Sequence, residues 1–512
     1  MSDFLPVGVQ DFVHSRKPGV RTDPYQTPQV VIHLYRFQDL NIVLDVNSGA
    51  VHAVSDPVFD ILSFYNDLYD SSRKHSRGDF LYAQGKTQKE PSLLCSFNDK
   101  YPIEEIREAQ SEIDELKRSG MLFSAAPDEF EVSPEGRGTV IKAMCLHVAH
   151  DCNMRCAYCF ADTGGFEGRR SLMPFETGKL AIDFLLEQSG NRQNLEIDFF
   201  GGEPLMNYDV VKALVLYGRE REKDYGKHIR LTLTTNGLLL DDEKTDFINE
   251  HMDNVILSID GRPEVNDRMR KTVGGEGTYT HIIDKLTKFA LARKSNEKNG
   301  GSPLYYIRGT YTALNKDFAK DVRHLASIGF ENISAEPAVT AADEPWALTE
   351  ADLPELFEEY DRLAELILES EAEGKPISFF HFKVDLEQGP CVFKRVSGCG
   401  AGTAYVAVTP EGDIYPCHQF VGDSSFNLGN VHDSAFENKL ADVFEKAHIF
   451  SKEECRGCWA KYYCSGGCHA AALHCEGDLM KPHRLSCALE KKRLECAIGL
   501  VAKRHMQDEP AR

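Results

Sequence analysis

Residues 145–160 read CLHVAHDCNMRCAYCF, and within this stretch Cys152, Cys156 and Cys159 form a C-x3-C-x2-C triplet. Three thiolates on so short a loop suit a cubane iron–sulfur cluster, since three corners of the cube are gripped and one iron stays open. A structural zinc normally takes four ligands, usually as two C-x2-C-like pairs, and no fourth cysteine lies beside this triplet. A set of reduced cysteines with no ligand is the competing reading, and spacing alone does not separate the two. The surrounding chain has to decide.

Beyond the triplet, strand and helix patterns alternate. Strands are expected at 139–148, 195–200, 229–234, 255–259, 304–311 and 332–335, with helices at 174–188, 208–224, 242–251, 279–295, 319–328 and 350–373. Such alternation implies a parallel sheet with right-handed crossovers, closed as a partial barrel. In barrels of this kind chemistry sits at the C-terminal ends of the strands, which is where the triplet falls. The next strand ends carry Gly201-Gly202-Glu203-Pro204, then Thr234-Thr235-Asn236-Gly237, then Ser258-Ile259-Asp260-Gly261. Glycines let backbone approach a ligand closely, and Glu203 can accept from an amino group. Ser258 can reach a ribose hydroxyl and Arg270 can pair with a carboxylate. Taken singly, GGEP could be only a tight turn. Four such groups in order after the triplet fit an open iron that binds S-adenosylmethionine.

The composition agrees with a metalloprotein. At 512 residues the chain is too long for one hydrophobic core, and two to four domains are expected. A net charge of −22 argues against non-specific nucleic-acid binding and is compatible with a plain solvated acidic surface. No apolar run is long enough for a transmembrane helix, and residues 1–20 lack the apolar centre of a signal peptide. Of 15 cysteines, only Cys95 and Cys145 lie outside two dense groups, the triplet and a second group from Cys391 to Cys496. Without an export signal, clustered cysteines read as metal ligation in the cytoplasm rather than as disulfides.

CNMRCAYCF, GGEP, TTNG and SIDG, in that order over residues 140–345, resemble the radical S-adenosylmethionine superfamily. The resemblance implies a partial (β/α)6 barrel whose [4Fe–4S] cluster reduces S-adenosylmethionine to a 5′-deoxyadenosyl radical. Carried over by position, Cys152, Cys156 and Cys159 bind the cluster and Tyr158 lies beside the adenine. Gly201, Gly202, Glu203 and Pro204 form the amine-binding turn, with Asn236 at the next strand end, and Ser258 and Arg270 hold ribose and carboxylate.

The C-terminal cysteines resemble the SPASM domain, which binds two auxiliary [4Fe–4S] clusters and brings the cofactor count to three. By that resemblance Cys455, Cys458, Cys464 and Cys487 hold the distal cluster, while Cys399, Cys417 and Cys468 hold the nearer one. Whether Cys391 completes the nearer set, or an iron is left open for a substrate thiolate, is not decided by the resemblance. A zinc ribbon is the alternative for these cysteines. Cys475 and Cys496 read as structural thiols, and His469 and His474 as non-ligand histidines. Sulfatase maturases place an aspartate after the cysteine corresponding to Cys417. Here that place is taken by His418, a candidate base or supporting group.

Residues 30–55, VVIHLYRFQDLNIVLDVNSGAVHAVS, read as a three-stranded meander, followed by helices near 57–69 and 104–119, the latter ending at Gly120. This winged-helix-like module resembles the peptide-recognition domain of ribosomal-peptide maturases, especially those acting on six-cysteines-in-forty-five-residues precursors. The expected organisation is a flexible tail at 1–27, a leader-recognition domain at 28–127 and a linker at 128–139. A radical domain at 140–375 and a SPASM domain at 376–512 follow. The expected activity is thioether formation, cysteine sulfur to carbon, in a cysteine-rich precursor peptide with a leader. A low-potential donor such as flavodoxin or ferredoxin would supply electrons. Alternatives are cysteine-to-acid cross-linking of a dehydrogenase subunit, carbon–carbon cross-linking, epimerisation, sulfatase maturation, or a non-catalytic iron–sulfur redox sensor.

Overall fold

A computed structural model describes residues 32–75, 97–129, 140–166, 168, 170–296, 304–340, 343–386, 395–433 and 435–508. The expected tail at 1–27, nearly all of the linker, Cys95 and Cys391 lie outside the described residues.

Strands β1 (Ile32–Phe37), β2 (Leu40–Asp45) and β3 (Val51–Val54) form the antiparallel meander, in the order β1-β2-β3. Period-two alternation gives its sheet two apolar faces. Ile32 and Val43 pack with Val58, Ile61, Ile106 and Ile113 from helices Asp56–His75 and Ile103–Arg118. Leu40, Ile42 and Leu44, on the other face, join the main core of the protein. That face rests on the last helix, Arg484–Asp508, where a Cβ at Gly499 would come within 2.3 Å of the Phe37 ring. His33 stacks on Trp459 at 3.8 Å and 5°, and the Tyr35 hydroxyl donates to the Glu495 carbonyl at 3.1 Å. The N-terminal module is thus seated on the C-terminal domain.

Strand β4 (Ala143–His150) starts the central sheet, and the ribbon strand β5 (Met154–Cys156) and β6 (Ser171–Leu172) follow it. The sheet continues with β7 (Asn194–Gly201), β8 (His228–Thr235) and β9 (Asn254–Ser258). After β10 (Arg270–Thr272) come β11 (Tyr305–Tyr311), β12 (Asn332–Pro337) and β13 (Ser378–Phe379). β4, β7, β8, β9, β11 and β12 are parallel neighbours in that order. Their connections run through helices Phe175–Gln188, Tyr208–Tyr225, Asp242–His251, Tyr279–Asn296 and Phe318–Ile328, and Leu353–Ala372 follows β12. The expected strand–helix units are all present. On β7, Leu195, Ile197 and Phe199 are fully buried toward the helices, while Asp198 and Phe200 face the lumen and are only partly covered.

In the C-terminal domain, β14 (Tyr405–Val408) pairs in parallel with β4, with Ala407 opposite Cys145. β15 (Asp413–Tyr415) and β16 (Gly429–Asn430) then extend the same sheet antiparallel. This buries β4 along its whole length. The domain also carries a long helix, Arg484–Asp508, whose Leu485, Leu489, Leu494, Ile498 and Leu500 are buried.

Candidate active site and cluster sites

The triplet lies on the loop leaving β4, pinned from two sides. On one side, β5 pairs antiparallel with β10, placing Arg270 opposite Cys156, and the Ala157 amide donates to the Met269 carbonyl at 2.9 Å. On the other, the end of β7 crosses directly beneath the loop. The Gly202 amide donates to the Ala149 carbonyl at 2.8 Å and the Glu203 amide to the Asp151 carbonyl at 2.9 Å. A Cβ at Gly202 would come within 2.1 Å of the Asp151 carbonyl oxygen, and one at Gly201, whose φ is +131°, within 2.2 Å of that of Ala149. Glycine is required at both positions, one for close approach and one for backbone conformation.

Glu203 is 1% exposed and starts the turn Pro204–Asn207. Its Oε1 accepts from the Leu205 amide at 3.0 Å and the Thr235 hydroxyl at 2.8 Å, and its Oε2 from the Asn236 amide at 2.7 Å. Burial raises its pKa, and these donors pull it back. The Asn236 side-chain amide donates to Asn153 Oδ1 at 2.8 Å and reaches Cys152 Sγ at 3.6 Å. GGEP, TTNG and the triplet are therefore in mutual contact.

Arg270, Tyr158 and Asp260 form a buried trio. Arg270 Nη1 reaches the Tyr158 hydroxyl at 2.8 Å, and that hydroxyl donates to Asp260 at 2.7 Å. The arginine lies 3.7 Å from the Asp260 carboxylate. Burial opposes its charge, but Tyr158, Cys156 and Asp260 outweigh it and raise the arginine pKa. Its Nε is buried without a partner. Ser258 sits beside Arg308 in the sheet register. Burial pushes the Cys152 and Cys156 thiols up to about 12 and about 11.

The C-terminal cysteines separate into two neighbourhoods. Cys455, Cys458, Cys464 and Cys487 act electrostatically on one another, and Cys399, Cys417 and Cys468 do likewise. Among the described residues no group of three or more His, Cys, Asp or Glu side chains is arranged to hold a single metal ion. Cys496 sits by Lys492 and Asp361, away from both groups. His469 and His474 bond to the carbonyls of Ala447 and Gln419 at 3.0 Å.

His418 is enclosed by Phe160 and Phe200, with ring centroids 5.4 and 5.3 Å away. Burial lowers its pKa to about 4, which makes it a weak proton acceptor. Asp198 went unnoticed in the sequence. Register places it between Cys145 and Thr232 on the lumen face. Burial and then Glu196 raise its pKa to about 6, against the pull of the Thr232 hydroxyl. Cys145 and Tyr405 lie within its field and also within that of Cys417. A carboxylate flanked by hydrophobic runs gives no sequence signal of its own.

The described residues contain no helix long and apolar enough to cross a membrane. Residues 146–296 match the radical SAM superfamily and residues 399–459 match the SPASM iron–sulfur cluster-binding domain. Fold and site thus define a radical SAM α/β fold with a C-terminal SPASM domain. More particularly, the chain is 27% identical over 342 residues to the cysteine-type anaerobic sulfatase-maturating enzyme of Clostridium perfringens, covering 62% of this chain and 85% of that one. The mycofactocin maturase MftC of Mycobacterium tuberculosis is 25% identical, over 64% of this chain and 78% of its own. In fold, the chain resembles anSMEcpe with bound AdoMet, with a TM-score of 0.58 and 21% identity over 71% of this chain and 99% of that one.

Proposed function

We propose that this protein is a radical SAM maturase that joins a cysteine sulfur to a carbon within a ribosomally made, cysteine-rich precursor peptide. The observation that carries the reading is the addition of β14 to β4. It brings the Cys417 neighbourhood alongside the same lumen onto which the triplet loop opens. When bound, the clusters and S-adenosylmethionine supply a carbon-centred radical that removes a hydrogen atom and an acceptor for the electron left over.

The chain's own residues hold and orient. Cys152, Cys156 and Cys159 grip three irons. Glu203 takes the methionine amine and already has its carboxylate fixed by three donors. Arg270, with its spare Nε, takes the carboxylate, and Ser258 the ribose. Cys455, Cys458, Cys464 and Cys487 hold the distal cluster, and Cys399, Cys417 and Cys468 the nearer one. Asp198, rather than His418, accepts the proton of the substrate thiol.

The N-terminal module captures the leader. The outer edges of β1 and β3 pair with no strand among the described residues, leaving main-chain groups for an added strand. Similarity to maturases of peptides and proteins supports a peptide substrate. His418 in place of an aspartate counts against sulfatase maturation. The test is mass spectrometry of candidate precursors incubated with reductant and S-adenosylmethionine. Loss of two hydrogens per modified cysteine is expected, and unchanged mass across cysteine-rich candidates overturns the reading.

A further inference from the structure

Arg308 is the one exposed residue of β11, on the same face as Tyr306 and Thr310, while Tyr305, Ile307, Gly309 and Tyr311 are buried. Register sets it between Ser258 of β9 and Ser334 of β12, with each strand about 5 Å away. Ser258 is the proposed ribose contact, so Arg308 lies on the lumen one strand from it. Among the described residues its guanidinium makes no hydrogen bond or ion pair. The carboxylates at the adjoining strand ends are already engaged. Asp260 accepts from the Tyr158 hydroxyl at 2.7 Å and from the Thr310 amide at 3.1 Å. Glu336, diagonal to Arg308 on the lumen face, lies 2.6 Å from His381 Nε2 and 4.0 Å from Arg493. Arg493 in turn pairs with Glu490, yet its Nε and Nη1 stay buried without a hydrogen-bond partner. In a chain of net charge −22, this edge of the lumen has cationic donors to spare.

We infer that Arg308 binds a side-chain carboxylate of the substrate peptide, so that an aspartate or glutamate adjoins the residue from which hydrogen is removed. A guanidinium is charged at every working pH, and its planar fork takes a carboxylate through two parallel hydrogen bonds. No existing ion pair has to break for Arg308 to do so. Its flanking partners in the sheet, Ser258 and Ser334, are neutral and do not compete for the charge. An amide in place of the carboxylate brings one oxygen and no charge, and the paired contact is lost. Arg308 thus selects which segment of a peptide can lie beside the ribose contact. The inference rests on the peptide substrate of the proposed function and not on the bond formed in it.

The experiment uses the full chain, reconstituted anaerobically with iron and sulfide. In its first arm, phenylglyoxal labels arginines in the presence of a blocked tripeptide with a central glutamate, or of the same peptide with glutamine. Mass-spectrometric mapping is expected to show Arg308 protected by the glutamate peptide alone. Arg107, exposed on helix Ile103–Arg118, should label equally with both. Equal labelling of Arg308 with both peptides overturns the inference. The second arm takes a precursor that the enzyme modifies and changes its acidic residues to amides one at a time. One such change should raise KM about tenfold in wild type, the worth of a charge-assisted hydrogen bond, and add little in Arg308→Gln. Additive losses, or a modified precursor with no acidic residue in its core, overturn the inference while leaving the proposed function intact. If no cysteine-rich precursor is modified, the proposed function fails and the protection arm still decides the role of Arg308.

Discussion

Arg270 and Cys156 face each other across the β5–β10 ribbon, and Tyr158 ties that arginine to Asp260. A cluster-binding cysteine and a cation suited to the cofactor's carboxylate thus belong to one rigid unit. Arg270→Ala removes the buried cationic partner of Asp260, which is 4% exposed, at a cost of about 3–5 kcal/mol. S-adenosylmethionine affinity, measured by isothermal titration, should fall at least about tenfold, the equivalent of one lost charge-assisted hydrogen bond. Arg270→Lys should not restore it, because one ammonium nitrogen cannot occupy both the Nη1 position that reaches Tyr158 and the Nε position left for the carboxylate.

Gly202→Ala tests the crossing under the triplet. With the Asp151 carbonyl only 2.1 Å from the new Cβ, the loop has to shift away from β7. The variant should fold but reconstitute with one cluster fewer than wild type, read by iron content and by the EPR signal of the triplet cluster. Full loading would show that the loop tolerates the displacement.

The seat of the N-terminal module depends on Phe37 against Gly499. Phe37→Ala leaves a cavity and should cost about 3–5 kcal/mol. Because His33 stacks on Trp459, the neighbour of Cys458, loosening the module should also disturb the distal neighbourhood. Limited proteolysis should release a fragment from the N-terminal region, and the distal EPR signal should broaden. Wild-type resistance and an unchanged spectrum would disprove the seating.

Asp198 carries the pH dependence. Its carboxyl pKa is raised to about 6, so it is neutral below that pH and accepts a proton only above it. Peptide modification by wild type should therefore rise through about pH 6, and Asp198→Asn should lose that limb together with about 10²- to 10⁴-fold of rate. The stability sign is opposite. The folded state binds the proton more tightly than the unfolded one, so ionising Asp198 costs stability as pH rises between the two pKa values. Asp198→Asn should melt higher than wild type at pH 7, with the gain vanishing in acid.

Much of the barrel was legible because each strand–helix unit is local. The periodicity from β4 to helix Leu353–Ala372 sits within a few residues of its expected bounds, and the strand-end motifs mark their own ends. The meander was legible for the same reason. The helix Arg484–Asp508 was not, because Cys487 drew the reading toward ligation and away from its apolar positions. Asp198 was invisible for a different reason: its raised pKa is a product of burial, which no neighbouring residue in the sequence announces.

The sequence by itself determined the triplet, the order of GGEP, TTNG and SIDG behind it, and the wealth of C-terminal cysteines. Ligand spacing and strand ends are written along the chain. Only the tertiary structure decided that β14 joins β4, and that the meander's second face lies on the last helix. Those relationships join residues hundreds of positions apart, and they exist because burial and charge act through space rather than along the backbone.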